Sequence, residues 1–324
     1  MLFRRVLAFV LGLLVVLLVL GHHSGDQPRL DAVEAARAEL GMPIESARVD
    51  VGDVTLHVVQ AGPADGPPIL LLHGFPEFWY AWKGVIAPLT QAGFRVILPD
   101  QRGYGDSDKP RDVAAYQVDR LGDDAAGLIA ALGYERAFVV AHDWGGGVAW
   151  NLAIRHPERV AKLAILDTPH PDVESVLPKS GESRISWYRT FFQIPFVPEE
   201  TARWGNWWLL SKSLRDSSRP GVFPEEKLAL YRSAWDRDGA FGTMVNWYRA
   251  AYRFRREQPA PRRVHVPTRV LVAADDAFIP GDLTRASVQL CDDAALIELG
   301  SGTHWVVQEE PDRIARELGA FFAP

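Results

Sequence analysis

Three polar residues have the types and the settings from which covalent catalysis could be built. Asp143 is the third residue of AHDWG at 141–145, and the spacing small-x-nucleophile-x-Gly is typical of a sharp turn between a strand and a helix. The helix N-terminus beyond such a turn keeps a carboxylate ionised, although an aspartate there can also serve only as a helix cap. Asp276 and His304 follow later apolar stretches, so the chain order is nucleophile, acid, base. This order predicts attack by Asp143 on a carbon atom, with His304 as the base and Asp276 as its partner.

The apolar stretches of the chain predict the elements that must hold these residues. Each short apolar run ends in a polar or Gly-rich turn, and helical segments separate most of the runs, as in a parallel sheet built from crossover units. Two β-branched stretches at 47–51 and 54–59 predict a hairpin ahead of them, and residues 311–322 predict a closing helix. The fold class is therefore α/β, and the other predicted strands are residues 69–72, 96–98, 138–141, 163–166, 269–273 and 295–299.

A long segment without strand signals interrupts this alternation after the sixth predicted strand. Residues 171–263 are predicted to form several helices, and they carry more than half of the 11 tryptophans. This composition suits a cap that encloses an apolar cavity over the sheet, with most of the rings filling the core of the cap itself. The predicted core domain therefore has two parts, residues 47–170 and 264–324, with the cap between them.

The N-terminus has the layout of a membrane anchor or a signal peptide. Arg4 and Arg5 precede an unbroken apolar run at 6–20, which is short against the roughly 20 residues of a bilayer span. Because no small-residue cleavage pattern follows it, we expect residues 1–25 to remain as an anchor, with a cleaved signal and a secreted or periplasmic protein as the alternative. The arginines predict a cytoplasmic N-terminus and an extracytoplasmic catalytic domain, joined by a linker with a short helix at 26–46.

Composition excludes several other classes of function. The formal net charge of −6 in 324 residues argues against a nucleic-acid partner, which requires a basic surface. Cys291 is the one cysteine, so no internal disulfide can form, and the nine histidines show no metal-ligand spacing. We therefore expect no metal, no cofactor and a mechanism that uses ordinary side chains.

Three longer motifs carry a resemblance to a known family. They are HGFPEFWYAW at 73–82, PDQRGYGDSDKP at 99–110 and AHDWGGGVAW at 141–150. The chain from about residue 49 onward resembles the epoxide hydrolases of the α/β-hydrolase fold, with Ala141 where glycine is usual. The resemblance implies a mostly parallel sheet flanked by helices with an inserted helical cap, and an enzyme that converts a small apolar epoxide into a vicinal diol.

The same resemblance implies roles for further residues. Tyr188 and Tyr248 match the two cap tyrosines that assist ring opening. The alternative is that both are ordinary amphipathic cap residues whose hydroxyls face water. The backbone N–H groups of Phe75 and Trp144 would hold the oxyanion of the ester intermediate. Asp276, rather than its neighbour Asp275, matches the position of the catalytic acid.

Other members of the fold offer alternative functions. A haloalkane dehalogenase would use the same aspartate, acid and histidine, but asparagine is expected where this chain has Phe75. A haloacid dehalogenase of the fluoroacetate type would have arginine in place of Trp144. Asp167 is the alternative catalytic acid, because it follows the predicted strand at 163–166 and some dehalogenases place their catalytic acid after the corresponding strand. A binding module without catalysis is the third alternative, and it would ordinarily have lost Asp143, His304 or the turn.

Overall fold

The computed structural model describes residues 28–177, 187–254 and 262–323. The predicted anchor or signal segment, residues 1–25, lies outside the described residues. Across these three ranges, no helix is both long enough and apolar enough to cross a membrane.

The apolar runs of the sequence form one eight-stranded sheet in the described part of the chain. In space the strands follow the order β1-β2-β4-β3-β5-β6-β7-β8, and the first two run antiparallel to their neighbours while the other pairs are parallel. The mostly parallel sheet confirms the predicted fold class. In chain order the strands are β1 (Glu45–Asp50), β2 (Thr55–Ala61), β3 (Pro68–Leu72), β4 (Arg95–Pro99), β5 (Ala137–His142), β6 (Val160–Leu166), β7 (Thr268–Val272) and β8 (Ala294–Glu298).

Helices cover both faces of the sheet, which is why its central strands are almost continuously apolar. The closing helix begins with Pro311 and ends at Phe322, whose ring stacks on Phe138 of β5 with centroids 4.6 Å apart. Two short helices in the second part of the core precede it. The helices of the core are α1 (Ala32–Leu40), α2 (Lys83–Gln91), α3 (Val118–Ala131), α4 (Trp144–Arg155), α9 (Gly281–Ala286), α10 (Val306–Glu309) and α11 (Pro311–Phe322).

The described residues between β6 and β7 are mainly helical, as predicted for the cap. It contains α5 (Trp187–Phe191), α6 (Val197–Asp216), α7 (Glu225–Trp235) and α8 (Ala240–Arg253). Trp207 of α6 is fully buried, and its ring lies 5.8 Å from that of Trp235.

The expectation that most cap tryptophans fill its core is wrong. Three of the six are buried, namely Trp207, Trp235 and Trp247, and the other three are exposed. In α6 the reason is a break in the helix at 204–207, where the backbone of Trp207 adopts a φ of 62° and turns its ring inward. The neighbouring rings of Trp204 and Trp208 face solvent as a result, at 44% and 50% exposure.

Candidate active site

The backbone at Asp143 is a strained turn between β5 and α4. Asp143 has φ 50° and ψ −125°, a conformation that costs a non-glycine residue about 1–3 kcal/mol. The surroundings hold it there, because its carbonyl oxygen accepts hydrogen bonds from the Gly146 N–H at 2.8 Å and the Thr168 hydroxyl at 2.9 Å. A Cβ at Gly145 would lie 2.3 Å from the Leu72 carbonyl oxygen, so the sequence must place glycine there. Ala141, in contrast, is accommodated as a fully buried strand residue.

The loop after β3 reaches the carboxylate of Asp143. The backbone N–H of Phe75 donates a hydrogen bond of 2.7 Å to Asp143 Oδ1. A Cβ at Gly74 would lie 2.5 Å from the Cβ of Asp143, so only glycine allows this approach. Trp144 is the first residue of α4, where a backbone N–H has no partner within its own helix. Both backbone groups predicted for the oxyanion therefore belong to segments that meet at Asp143.

Asp276 and His304 form a buried hydrogen-bonded pair beside Asp143. The Nδ1 atom of His304 lies 2.7 Å from Asp276 Oδ2, and its Nε2 atom lies 3.8 Å from Asp143 Oδ2. The second oxygen of Asp276 accepts the backbone N–H groups of Phe278 at 2.7 Å and Ile279 at 2.9 Å. Burial opposes ionisation of Asp276, but His304 and these N–H groups outweigh it and lower the pKa of the carboxyl. Asp276 thus stays a carboxylate that fixes the orientation of the imidazole.

The electrostatic setting of His304 favours its cationic form. Burial alone would lower the pKa of the imidazole, but the charge and hydrogen bond of Asp276, together with the charges of Asp143 and Asp167, raise that pKa to about 9. At neutral pH the resting site therefore contains an imidazolium cation between carboxylates. Loss of any of these negative charges would lower the pKa of His304 from its raised value.

Asp167, the alternative acid, is close to the pair but differently bonded. Its Oδ1 atom accepts the backbone N–H of Ala273 at 2.8 Å, and its Oδ2 atom has no hydrogen-bond partner among the described residues. Burial and the charge of Asp276 raise the pKa of Asp167 to about 6. The Nδ1–H group of His304 therefore donates its hydrogen bond to Asp276 and not to Asp167.

The two cap tyrosines lie next to each other above the nucleophile turn. The ring of Tyr248 lies 4.8 Å from the ring of Trp144 and 5.1 Å from that of Phe75. The ring of Tyr188 lies 6.0 Å from that of Tyr248. Burial, with the negative charge of Asp143, raises the pKa of Tyr248 well above its ordinary value, so this phenol stays an O–H donor at neutral pH.

Two buried residues near Asp276 and His304 were not predicted as site residues from the sequence. The ring of His142 lies 4.6 Å from that of His304, and its Nδ1 atom is 3.7 Å from Glu77 Oε2. Glu77 also accepts a hydrogen bond of 3.0 Å from the Tyr231 hydroxyl of the cap. Both residues belong to the quoted motifs at 73–82 and 141–150, so their position beside known motifs was the available signal.

Potential metal-ligating side chains are not clustered within the described ranges. These ranges contain no group of three or more histidine, cysteine, aspartate or glutamate side chains that could hold a metal ion. Cys291 is buried, which raises the pKa of its thiol to about 11 and disfavours the reactive thiolate.

Comparisons with known proteins show what this chain is similar to. A family model described as alpha/beta hydrolase fold matches residues 67–311, a range that contains every residue assigned to the site. The AB hydrolase superfamily protein YfhM of Bacillus subtilis is 42% identical over 265 residues, covering 81% of this chain and 92% of that protein. Epoxide hydrolase 1 of Caenorhabditis elegans is 32% identical over 285 residues, covering 86% of this chain and 70% of that protein. The crystal structure of epoxide hydrolase A from Mycobacterium thermoresistibile has a TM-score of 0.72 at 28% identity, covering 86% of this chain and 98% of that one.

Proposed function

Because this chain belongs to the alpha/beta hydrolase fold family and is a hydrolase, we propose that it opens epoxides to vicinal diols through an ester on Asp143. The observation that carries the proposal is the pair Tyr188 and Tyr248, two phenols 6.0 Å apart beside the nucleophile turn. Relatives named as epoxide hydrolases, at about 30% identity, support the same choice.

The first step forms an ester and opens the ring. A carboxylate oxygen of Asp143 attacks one epoxide carbon while the bond from that carbon to the epoxide oxygen breaks. The departing oxygen takes a proton from a tyrosine hydroxyl, because an alkoxide is a much stronger base than a phenolate. The raised pKa of Tyr248 supports this role, since it keeps the phenol protonated before the reaction.

Ester formation changes the charge next to His304. The ester of Asp143 is neutral, so one of the charges that raise the pKa of His304 is lost. The imidazolium then releases its proton and the tyrosine phenolate left by ring opening takes one up, so that the phenol is restored and the imidazole is neutral. The neutral imidazole, oriented by Asp276, is the form that acts as a base.

The second step hydrolyses the ester. His304 takes a proton from water while the water oxygen attacks the ester carbonyl carbon of Asp143. The N–H of Phe75, which contacts Asp143 Oδ1 in the resting site, and that of Trp144 stabilise the oxyanion. Collapse of this intermediate releases the alkoxide, which takes the proton from His304 to complete the diol. The carboxylic acid left on Asp143 then gives its proton to His304, which restores the carboxylate and the imidazolium.

A single turnover in water enriched in oxygen-18 tests the covalent route. We expect the label in the Asp143 carboxylate and an unlabelled diol, because the attacking water becomes part of the aspartate. Mass spectrometry of the peptide that contains Asp143, beside that of the diol, separates the two routes. Label in the diol alone would show direct attack of water on the epoxide and would exclude the ester.

Halide displacement is the second candidate, because the same aspartate, histidine and acid serve it. It needs no proton donor, since halide leaves as a weak base. Phe75, where a haloalkane dehalogenase is expected to hold halide with asparagine, favours epoxide opening. Turnover of haloalkanes without turnover of aryl or lipid epoxides would select the dehalogenase.

A further inference from the structure

The cap exposes an unusual number of aromatic side chains. Every aromatic side chain that is exposed in the described ranges lies between residues 187 and 254. Three of them are more than two-thirds exposed: Trp187 at 76%, Phe196 at 78% and Tyr252 at 71%. We call this set the aromatic face, and its members are Trp187, Phe196, Trp204, Trp208, Tyr252 and Phe254.

Contacts between the cap helices hold the segments of this face together. The guanidinium of Arg249 in α8 donates to the carbonyl oxygens of Phe192 at 3.0 Å and Ile194 at 2.9 Å, in the turn between α5 and α6. The same guanidinium binds Glu199 of α6 at 2.7 Å. Trp204 and Trp208 lie on α6 with ring centroids 6.3 Å apart. One buried arginine thus links all three helices that carry the face.

The charges around the face are opposite in sign to those of the whole protein. Arg189, Arg203 and Arg253 are exposed on the same helices, with Glu200 as an exposed acid between them. The chain as a whole carries a formal net charge of −6. Tryptophan, tyrosine and arginine together are the residues that accumulate where a bilayer meets water, and basic side chains are attracted to anionic phospholipid. A second copy of the chain would instead bring these arginines against each other.

We propose that the aromatic face docks onto the surface of a lipid bilayer that contains anionic phospholipid. The apolar run at 6–20 ends eight residues before Pro28, the first described residue, and eight residues span at most about 28 Å. The Leu30 N–H donates a hydrogen bond of 2.9 Å to Ser233 Oγ of α7, so insertion of that run into a bilayer would keep the cap within reach of the same surface. Trp187 also packs against Tyr188, at 6.2 Å between ring centroids, so the face adjoins the proposed catalytic tyrosine. Docking would place the site beside apolar epoxides dissolved in the bilayer.

A fluorescent label at one engineered cysteine tests the docking. The full chain carries Leu209→Cys, next to Trp208 on the exposed side of α6, and the label is an environment-sensitive fluorophore. Cys291 does not compete for the label because it is buried and the pKa of its thiol is raised to about 11. The matched control is Ala64→Cys in the exposed turn ahead of β3, at the edge of the sheet opposite the site. Both proteins are reconstituted in vesicles of about 70% phosphatidylcholine and about 30% phosphatidylglycerol.

We expect the label at 209 to gain fluorescence in vesicles and to be quenched by nitroxide lipids, while the label at 64 does neither. An equal response at both positions would mean that the chain approaches the bilayer without a preferred face, and no response at 209 would mean that the face stays in water. Either result overturns the proposal. A fluorescence change at position 209 that depends on protein concentration in the absence of vesicles would show that the face binds a second copy of the chain. That result would also overturn the proposal.

Paired substitutions test whether docking depends on the aromatic face or on any exposed apolar side chain. Trp204→Ser with Trp208→Ser should reduce quenching at position 209 by about tenfold, because two interfacial rings are lost. Val118→Ser removes an exposed apolar side chain outside the face and should leave the quenching unchanged. Near-UV circular dichroism of both variants checks that the cap keeps its fold. Undiminished quenching in the correctly folded double variant would overturn the proposal.

An activity measurement rests on the proposed function as well as on docking. With an epoxide dissolved in vesicles, the double tryptophan variant should need a higher substrate concentration for half-maximal rate. With a water-soluble epoxide its kcat/KM should equal that of the unmodified protein. Absence of epoxide turnover in the unmodified protein would reject the proposed function, while the fluorescence result would still decide the docking.

Discussion

The Nε2 atom of His304 lies 3.8 Å from the Oδ2 atom of Asp143, too far for a direct hydrogen bond. The other nitrogen of the ring is fixed by Asp276 at 2.7 Å, so the ring is oriented toward the nucleophile without a hydrogen bond to it. Such an arrangement suits a base that acts on water after the ester has formed. Asp143 thus forms the ester and His304 assists its hydrolysis, so each step can be tested alone.

Replacing His304 with glutamine should trap the ester. Attack by Asp143 does not need the base, whereas ester hydrolysis should slow by roughly a thousandfold. Mass spectrometry of the intact protein after mixing with an epoxide should show the added mass of one substrate. His265→Gln, at an exposed histidine, is the control and should turn over normally. Failure of the His304 variant to accumulate adduct, with alkylation still occurring, would contradict the assigned role.

Replacing Asp276 with asparagine should slow ester hydrolysis by at least about a hundredfold, because the imidazole loses its charged partner. Asp167→Asn should change hydrolysis far less, since Asp167 bonds to the backbone of Ala273. Stopped-flow traces separate alkylation from hydrolysis in both variants. The opposite pattern, with the larger loss at Asp167, would make that residue the catalytic acid.

Tyr248→Phe removes one hydroxyl and should slow alkylation by about a hundredfold, equivalent to about 3 kcal/mol in the transition state. Tyr188→Phe should act similarly, and the double variant should nearly abolish ring opening. Tyr134→Phe, ahead of β5 and outside the cap, is the matched control. The melting temperature should change little, so a large drop with unchanged chemistry would indicate that the hydroxyls serve the fold instead.

Asp143→Asn should lower the pKa of His304 below its value of about 9, because one of the negative charges that raise it disappears. The same variant mimics the neutral ester, so the measurement tests the charge change proposed for catalysis. Titration of histidine ring nitrogens by NMR gives the pKa, and His304→Gln assigns the signal. Asp65→Asn, at an exposed turn, should leave the titration unchanged. An unchanged or higher pKa in the Asp143 variant would argue against charge coupling.

Asp167→Asn should stabilise the protein above about pH 6. The folded state raises the pKa of Asp167 from 3.8 to about 6, so ionisation of this carboxyl costs folding free energy as pH rises through that window. The full cost above the window is up to about 3 kcal/mol, and asparagine avoids it while keeping an acceptor for Ala273. Urea unfolding at pH 5 and pH 8 should show a larger gain at pH 8. A gain that is equal at both pH values would contradict the shifted pKa.

The sequence alone determined the elements and the loops that carry the site. Hydrophobic period and turn residues are local properties, so the eight strands, the closing helix and the turn at Asp143 could be predicted to within a few residues. The sequence also shows glycine at positions 74 and 145, although only the packed structure shows which atoms a side chain there would clash with.

The tertiary structure decided which of these groups meet. Asp167 follows β6 and Asp276 follows the adjacent β7, so both carboxyls lie at one edge of the sheet and no local pattern distinguishes them. Their contacts do, because a hydrogen bond to His304 requires side chains from two loops to come within 2.7 Å. The exposure of Trp204 beside buried Trp207 has the same origin, since a break in α6 rotates one ring inward and its neighbours outward. Distances and exposure depend on packing between segments far apart in the chain, and only the folded molecule specifies them.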